Sequence, residues 1–198
     1  MPPGALRDAL DRGATVVQTY GMTETCSQVT TLAPADAERK LGSAGRPLLT
    51  THVRIEDGEI LVQGPTVSRE AIDSDGWLHT GDLGHIDEEG FLYVTGRSSD
   101  VIVTGGENVM PAEVEAVLVA HPAVADAAVV GRPDPKWQEA VCALVVLCEG
   151  AGAGAEELRS HCSASLAPYK VPKRVDFVTS LPRTPSGKLL RGELMEPA

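Results

Sequence analysis

Lysine is scarce in this chain, with five in 198 residues. Seventeen Lys and Arg face 28 Asp and Glu, a formal net charge of −11. That balance argues against a nucleic-acid partner, because phosphate contacts along a polynucleotide need concentrated Lys and Arg. It leaves phosphorylated small molecules open, since a few local donors suffice for them. No CxxC pair is present. Cys26, Cys142, Cys148 and Cys162 stand apart, and the last three fall in apolar or helical patterns that read as small buried hydrophobes. Five histidines without clustering argue against zinc. No apolar run reaches the roughly 18 residues of a membrane span and nothing resembles a signal peptide, so a reduced, cytoplasmic setting is expected. Neither G-x-x-x-x-G-K-[ST] nor G-x-G-x-x-G occurs, which disfavours the usual P-loop and dinucleotide folds. What the chain does have is 42% apolar residues, enough to build a core. Its length suits one ordinary domain or two small ones.

The first half reads as mainly β. Residues 1–12 suggest a loop and a short helical fragment leading to a strand at 14–18. Two strand-like runs, 51–55 and 59–63, flank Asp57-Gly58, a hairpin signal. A further strand, 91–94, follows the turn 87–90. Beyond residue 97 the pattern changes. A short strand at 101–103 is broken by Gly105-Gly106, and Pro111 opens a helix with Val114, Val117 and Leu118 on one face. Strands are expected at 124–130, 140–147 and 174–178, a helix at 156–166, and a surface loop at 149–155. The boundary falls near 97–100, giving an α+β fold in two parts.

Several segments can carry chemistry. Tyr20-Gly21-Met22-Thr23-Glu24 follows an apolar run. Thr23 could donate to a phosphate, Glu24 could face its cation, and Tyr20 could stack on a base; an ordinary turn with a helix cap would read the same way. In Gly76-Trp77-Leu78-His79-Thr80-Gly81-Asp82, the Asp82 carboxylate is suited to accept two ribose hydroxyls, and a turn-forming aspartate is the alternative. Trp77 reads as a packing residue, and His79 has no Ser or Cys partner that would make it a base. Arg97 offers a fork of donors, for ribose or phosphate oxygens or for a surface ion pair. Gly105-Gly106 could bring amides beside an extended ligand or simply make a tight turn. Lys188, on the Pro- and Gly-punctuated loop Pro185-Ser186-Gly187-Lys188, is the lysine best placed to enter a site belonging to another part of the protein.

Taken in order, these segments resemble the carboxyl-terminal part of the adenylate-forming acyl-CoA synthetases, a superfamily that includes luciferases and peptide-synthetase adenylation domains. The resemblance covers almost the whole chain, with Pro111-Ala112-Glu113-Val114-Glu115 falling in family order as well. Within the superfamily the chain is similar to the o-succinylbenzoate–CoA ligase branch of menaquinone biosynthesis, through Thr25-Cys26-Ser27-Gln28, Arg97-Ser98-Ser99-Asp100, Gly105-Gly106-Glu107-Asn108-Val109 and Asp134-Pro135-Lys136-Trp137. The resemblance implies a β-rich remnant of the large adenylation domain over 1–98 and a small, mobile α+β domain over 99–198.

It also implies two half-reactions: a carboxylic acid and ATP form an acyl-adenylate and pyrophosphate, and coenzyme A then takes the acyl group and releases AMP. By the same carry-over Tyr20 packs on adenine at the Gly21 turn, Thr23 binds phosphate and Glu24 helps hold Mg2+. Asp82 binds the ribose hydroxyls and Arg97 supports the nucleotide. Lys188 reaches the α-phosphate and the attacking carboxylate, two anions that repel each other. Ser99 stands at the pivot between the half-reactions, where many members carry Asp or Lys, and Gly105-Gly106 helps form the pantetheine channel.

The sequence also departs from the family pattern. The glycine- and hydroxyl-rich phosphate loop does not occur, and residues 64–72 lack the usual Gly-Tyr and helical insert. The expectation is a truncated, split or decayed chain with little complete ligase activity alone, whose N-terminal domain is missing or separate. Two alternatives remain: an adenylation domain acylating a carrier protein, and a non-catalytic nucleotide- or partner-binding remnant.

Overall fold

Asp57 and Gly58 both take positive φ, 49° and 85°, the backbone of a two-residue hairpin turn whose twist matches that of its strands. They join strands that pair from His52↔Gln63 to Glu56↔Glu59, so the strongest local signal in the sequence closes as expected. The computed structural model describes residues 3–185 and 187–194. The chain divides into two compact units, Met1–Ser99 and Asp100–Ala198.

The first unit opens with helix α1 (Pro3–Asp11), followed by strands β1 (Thr19–Gly21), β2 (Gln28–Thr31) and β3 (Arg46–Pro47) in one antiparallel sheet. A second sheet holds β4 (His52–Glu56), β5 (Glu59–Gln63), β6 (Leu78–Ile86) and β7 (Leu92–Arg97) in sequential order. On β4, His52, Arg54 and Glu56 are exposed while Val53 and Ile55 pack against buried Ile60, Val62, Leu78 and Leu92. That is the period-2 alternation of a sheet with one covered face.

One expectation fails here: 14–18 is not a strand. Pairing starts at Thr19, opposite Thr31, and Val17 is 43% exposed. The valines have strand propensity, but among the described residues no neighbouring strand takes up their amides and carbonyls, apart from the Leu32 amide donating to Gln18 O at 2.8 Å.

The second unit begins with the hairpin β8 (Ile102–Thr104) and β9 (Glu107–Val109), then helix α2 (Pro111–Val119) with proline in its first turn and Glu113 near its positive end. Long strands β10 (Val124–Asp134) and β11 (Gln138–Leu147) follow, then α3 (Ala155–Ser163) and β12 (Arg174–Phe177). The sheet runs β10-β11-β8-β9, and β12 pairs parallel to β11 after the α3 crossover. On β11, Val141, Ala143 and Val145 face the core beneath both helices, with Leu118, Leu158 and Cys162, while Cys142 and Leu144 face a second core with Leu181 and Leu194. Burial on both faces explains why these strands read as unbroken apolar runs.

The structure shifts some boundaries. β10 continues to Asp134 as a ladder with β11. Helix α3 stops at Ser163 rather than 166, where the Ala164 and Leu166 amides still donate to Ser160 O and Cys162 O but Pro168 bars continuation. Cys142 and Cys162 are buried as expected; Cys148, one residue past β11, is only half-buried. No described helix is long and apolar enough to cross a membrane.

Candidate functional site

Strand pairing decides the geometry of the best-defined polar cluster. The β6–β7 register sets Asp82 opposite Arg97, and the Arg97 Nε donates to Asp82 Oδ1 at 2.7 Å. From the other sheet, the Tyr20 hydroxyl donates to Asp82 Oδ2 at 2.9 Å. The Asp82 amide donates to Thr80 Oγ1 at 3.0 Å, and the Thr80 hydroxyl donates to Ile60 O at 2.7 Å. Asp82 is 8% exposed. A residue at position 20 and two from a hairpin some sixty positions later thus meet at one carboxylate.

The electrostatics follow. Burial pushes the Tyr20 phenol pKa well above its ordinary value and the Asp82 charge adds to the effect, while Thr80 and Arg97 pull the other way. The phenol therefore stays protonated as a donor. A carboxylate has about four lone-pair sites; among the described residues each Asp82 oxygen accepts one side-chain bond, which leaves lone pairs for two incoming hydroxyls. Each oxygen is already fixed by one protein donor, so the group is held in orientation before a ligand arrives.

Thr23 and Glu24 lie on the single 3₁₀ turn Thr23–Thr25 just after β1. Both side chains are exposed. Gly21 ends β1 where a Cβ would meet Ser27 O at 2.5 Å, so the turn leaves no space for a side chain. Gly21, Met22, Thr23, Cys26 and Ser27 line an open cleft of about 600 Å³. The Thr25 hydroxyl, buried and bonded to Met22 O and Ser27 O, pins this turn from beneath. His79, which the sequence does not favour as a base, contacts Glu59 at 3.2 Å and Asp75 at 3.5 Å. Those carboxylates raise its pKa.

Ser99 is exposed in the 3₁₀ turn Ser98–Asp100, at the end of the first unit. Gly105 and Gly106 form the tip of the β8–β9 hairpin. Gly105 has φ +61, its amide donates to Trp137 O at 2.8 Å, and a Cβ would meet the Trp137 ring at 2.9 Å. Asp134-Pro135-Lys136-Trp137 is the connection that delivers this indole, with Asp134 Oδ1 accepting from the Lys136 and Trp137 amides. Gly105→Ala should therefore cost about 1–3 kcal/mol of stability, through a disfavoured backbone and a steric clash. Denaturant unfolding checks this, and an unchanged midpoint would refute the packing argument.

Lys188 is exposed on the second unit, and its amide donates to Thr184 Oγ1 at 3.0 Å. Among the described residues its Nζ has no ion-pair partner; Ser186 of the same motif lies outside those residues. The structure therefore gathers Tyr20, Asp82 and Arg97 into one cluster, places Thr23 and Glu24 on the adjoining turn, and leaves Lys188, Gly105 and Gly106 on the other unit.

Sequence reasoning missed the arginines around Lys188. Arg183 bonds Asp126 and Gly187 O. Arg191 donates to both Glu115 oxygens and to Val129 O, and pairs with Asp100 at 3.1 Å. The available signal was their position on either side of the only lysine in that loop.

Residues 1–70 match the AMP-binding enzyme family profile, and residues 113–188 match that of the AMP-binding enzyme C-terminal domain. The chain belongs to the AMP-binding enzyme family. Similar members include the 2-succinylbenzoate–CoA ligase of Bacillus subtilis (strain 168), 46% identical over 98% of this chain and 44% of that protein. Among solved structures, o-succinylbenzoate CoA synthetase from Bacillus subtilis in complex with the acyl-adenylate intermediate OSB-AMP superposes with a TM-score of 0.90 at 46% identity, over 100% of this chain and 44% of that one. The amide bond synthetase McbA from Marinactinospora thermotolerans gives 0.88 at 37% identity, over 98% and 44%. This AMP-binding enzyme chain thus spans less than half the length of the relatives it matches.

Proposed function

We infer that this chain provides the ribose-binding carboxylate and the mobile lysine of an ATP-dependent acid–CoA ligase, and that its acid is o-succinylbenzoate. The observation that carries the reading is the Tyr20–Asp82–Arg97 cluster, an oriented buried carboxylate that takes one side-chain bond on each oxygen among the described residues, in a chain 46% identical to a 2-succinylbenzoate–CoA ligase. A carboxylate of that kind suits a ribose diol. The solved relative that holds an acyl-adenylate supports the same chemistry.

In the first half-reaction an acid oxygen bonds to the α-phosphorus of ATP, the α–β bridging P–O bond breaks, and pyrophosphate leaves. In the second, the coenzyme A sulfur bonds to the acyl carbon and AMP departs; the thiol proton goes to solvent. Asp82 accepts the two ribose hydroxyls, Arg97 holds Asp82 and adds positive potential, and the Tyr20 ring offers a face to adenine. Thr23 donates to phosphate oxygens. Lys188 bridges the α-phosphate and the acid, offsetting their repulsion as charge develops. Ser99 is the pivot that withdraws Lys188 afterwards, and the Gly105-Gly106 hairpin borders the path of pantetheine.

Glu24 fits a magnesium site of the substrate-shared kind: one exposed carboxylate, with no group of three or more His, Cys, Asp or Glu poised for a metal among the described residues. When bound through it, Mg2+ would neutralise phosphate charge.

The activity belongs to an enzyme in which a phosphate-loop-bearing large domain completes the site, whether on the same chain or a separate one. A cytoplasmic role in menaquinone biosynthesis goes with this assignment. To test it, the chain is combined with that large domain and given ATP, coenzyme A and a panel of acids, with products resolved by chromatography. o-Succinylbenzoyl-CoA should dominate. Preference for simple fatty acids would overturn the substrate, and transfer to a pantetheinyl protein in place of free coenzyme A would favour the carrier-protein alternative. ATP binding with no adenylate formed from any acid would favour a non-catalytic module.

A further inference from the structure

The Lys188 loop is held by more than its own turn. The Gly187 amide donates to Thr184 O at 2.8 Å, the Thr184 amide to Lys188 O at 2.8 Å, and Arg183 bridges Leu189 as an isolated β-pair. Below this neck Leu181, Leu189 and Leu194 pack on the β10–β11 face. Arg183 reaches in two directions from the neck. Its Nη1 donates forward to Gly187 O at 2.9 Å, the carbonyl immediately before Lys188. Its Nη2 donates to Asp126 Oδ1 and Oδ2 at 2.9 and 2.7 Å, with Nε to Oδ2 at 3.3 Å. Asp126 sits at the irregularity in the β10–β11 register, and its Oδ1 also accepts the Ala127 amide at 3.0 Å.

We propose that Arg183 is a positioning residue that ties the backbone beside Lys188 to strand β10 and so presents the lysine ammonium for adenylation. The inference rests on the ligase reading above. Magnitudes separate this role from plain stabilisation. Arg183 and Asp126 are 38% and 35% exposed, and exposed pairs add little to folding free energy. The planar fork is nevertheless directional: with one end on a strand and the other on Gly187 O, it restrains where Lys188 starts. Lysine's three donors all leave one nitrogen, whereas Arg183 uses separate nitrogens for Gly187 O and Asp126, so lysine does not reproduce both ends in this geometry. Small displacements of a charge-bridging group are costly in rate, since misplacement of about 1 Å can cost on the order of 100-fold.

The test uses the 198-residue chain first. Amide exchange followed by NMR should rise about tenfold or more at Gly187 and Lys188 in Arg183→Gln, Arg183→Lys and Asp126→Asn, while β10 and β11 core amides keep their wild-type protection. Unchanged exchange at Gly187 and Lys188 in Arg183→Gln would overturn the proposal, and so would a uniform loss across the unit. With the large domain supplied, Arg183→Gln should lower kcat for acyl-adenylate formation about tenfold, with KM for ATP and acid within about twofold and thioester formation from added acyl-adenylate little changed. An equal fall in both half-reactions would also overturn it. If the wild-type assembly forms no adenylate at all, the ligase reading fails, and the exchange result alone decides the role of Arg183 in holding the loop.

Discussion

Replacing Lys188 by alanine should lower acyl-adenylate formation by about 100- to 1000-fold, the usual effect of deleting one donor aimed at developing charge in a closed site. Lys188 is exposed, and among the described residues no acidic partner holds its ammonium. Removing it therefore leaves the fold intact, and the loss falls on chemistry. Thioester formation from supplied acyl-adenylate should change much less if, as proposed, the pivot at Ser99 withdraws the lysine between the two half-reactions. Single-turnover measurements of each half-reaction check both statements. An equal loss in the two halves would rule out a lysine that acts in one conformation only.

Asp82→Asn should weaken AMP binding about 10- to 100-fold and cost about 1–3 kcal/mol of stability. The substitution keeps the shape and removes the charge at a position 8% exposed. The stability loss comes chiefly from the buried end. Arg97 is 44% exposed at its side chain, so its pair with Asp82 is largely screened, whereas the Tyr20 hydroxyl loses a charged acceptor for a neutral one. Binding suffers more, since the carboxylate would accept both ribose hydroxyls. Calorimetric titration of AMP into wild type and variant measures the affinity, and thermal unfolding measures the stability. Wild-type affinity in Asp82→Asn would remove this carboxylate from the nucleotide site and with it the main support for the ligase assignment.

Both variants concern residues whose chemistry was legible early, but for different reasons. Lys188 stood out because cations are few and its loop is punctuated by Pro185 and Gly187. Asp82 stood out because a carboxylate in that glycine-bearing segment suits two ribose hydroxyls. Neither signal carried geometry. That the Tyr20 hydroxyl and the Arg97 guanidinium would meet on the two oxygens of Asp82 depends on the β6–β7 register, and on β1 reaching the same place. A register slip of one residue would have sent Asp82 to the opposite face.

The errors have the same origin. Residues 14–18 have the composition of a strand, but a strand also needs a neighbour, and pairing begins at Thr19. Helix α3 carries apolar periodicity to Leu166, yet ends at Ser163 ahead of Pro168. Arg183 and Arg191 were passed over because a surface arginine is common in sequence. Only the folded chain shows their forks closing on Asp126 and Gly187 O, and on Glu115 and Val129 O.

By itself, then, the sequence determined the α+β class, the Asp57-Gly58 hairpin, the proline-opened helix α2 and the ordered motifs that mark the family. All of these follow from near-neighbour physics: backbone preferences at Gly and Pro, and the period of apolar residues along one element. The tertiary structure alone decided which polar groups share a site and which hold another in place. Those relations join residues tens of positions apart through strand register and core packing, and no local pattern encodes the distance between them.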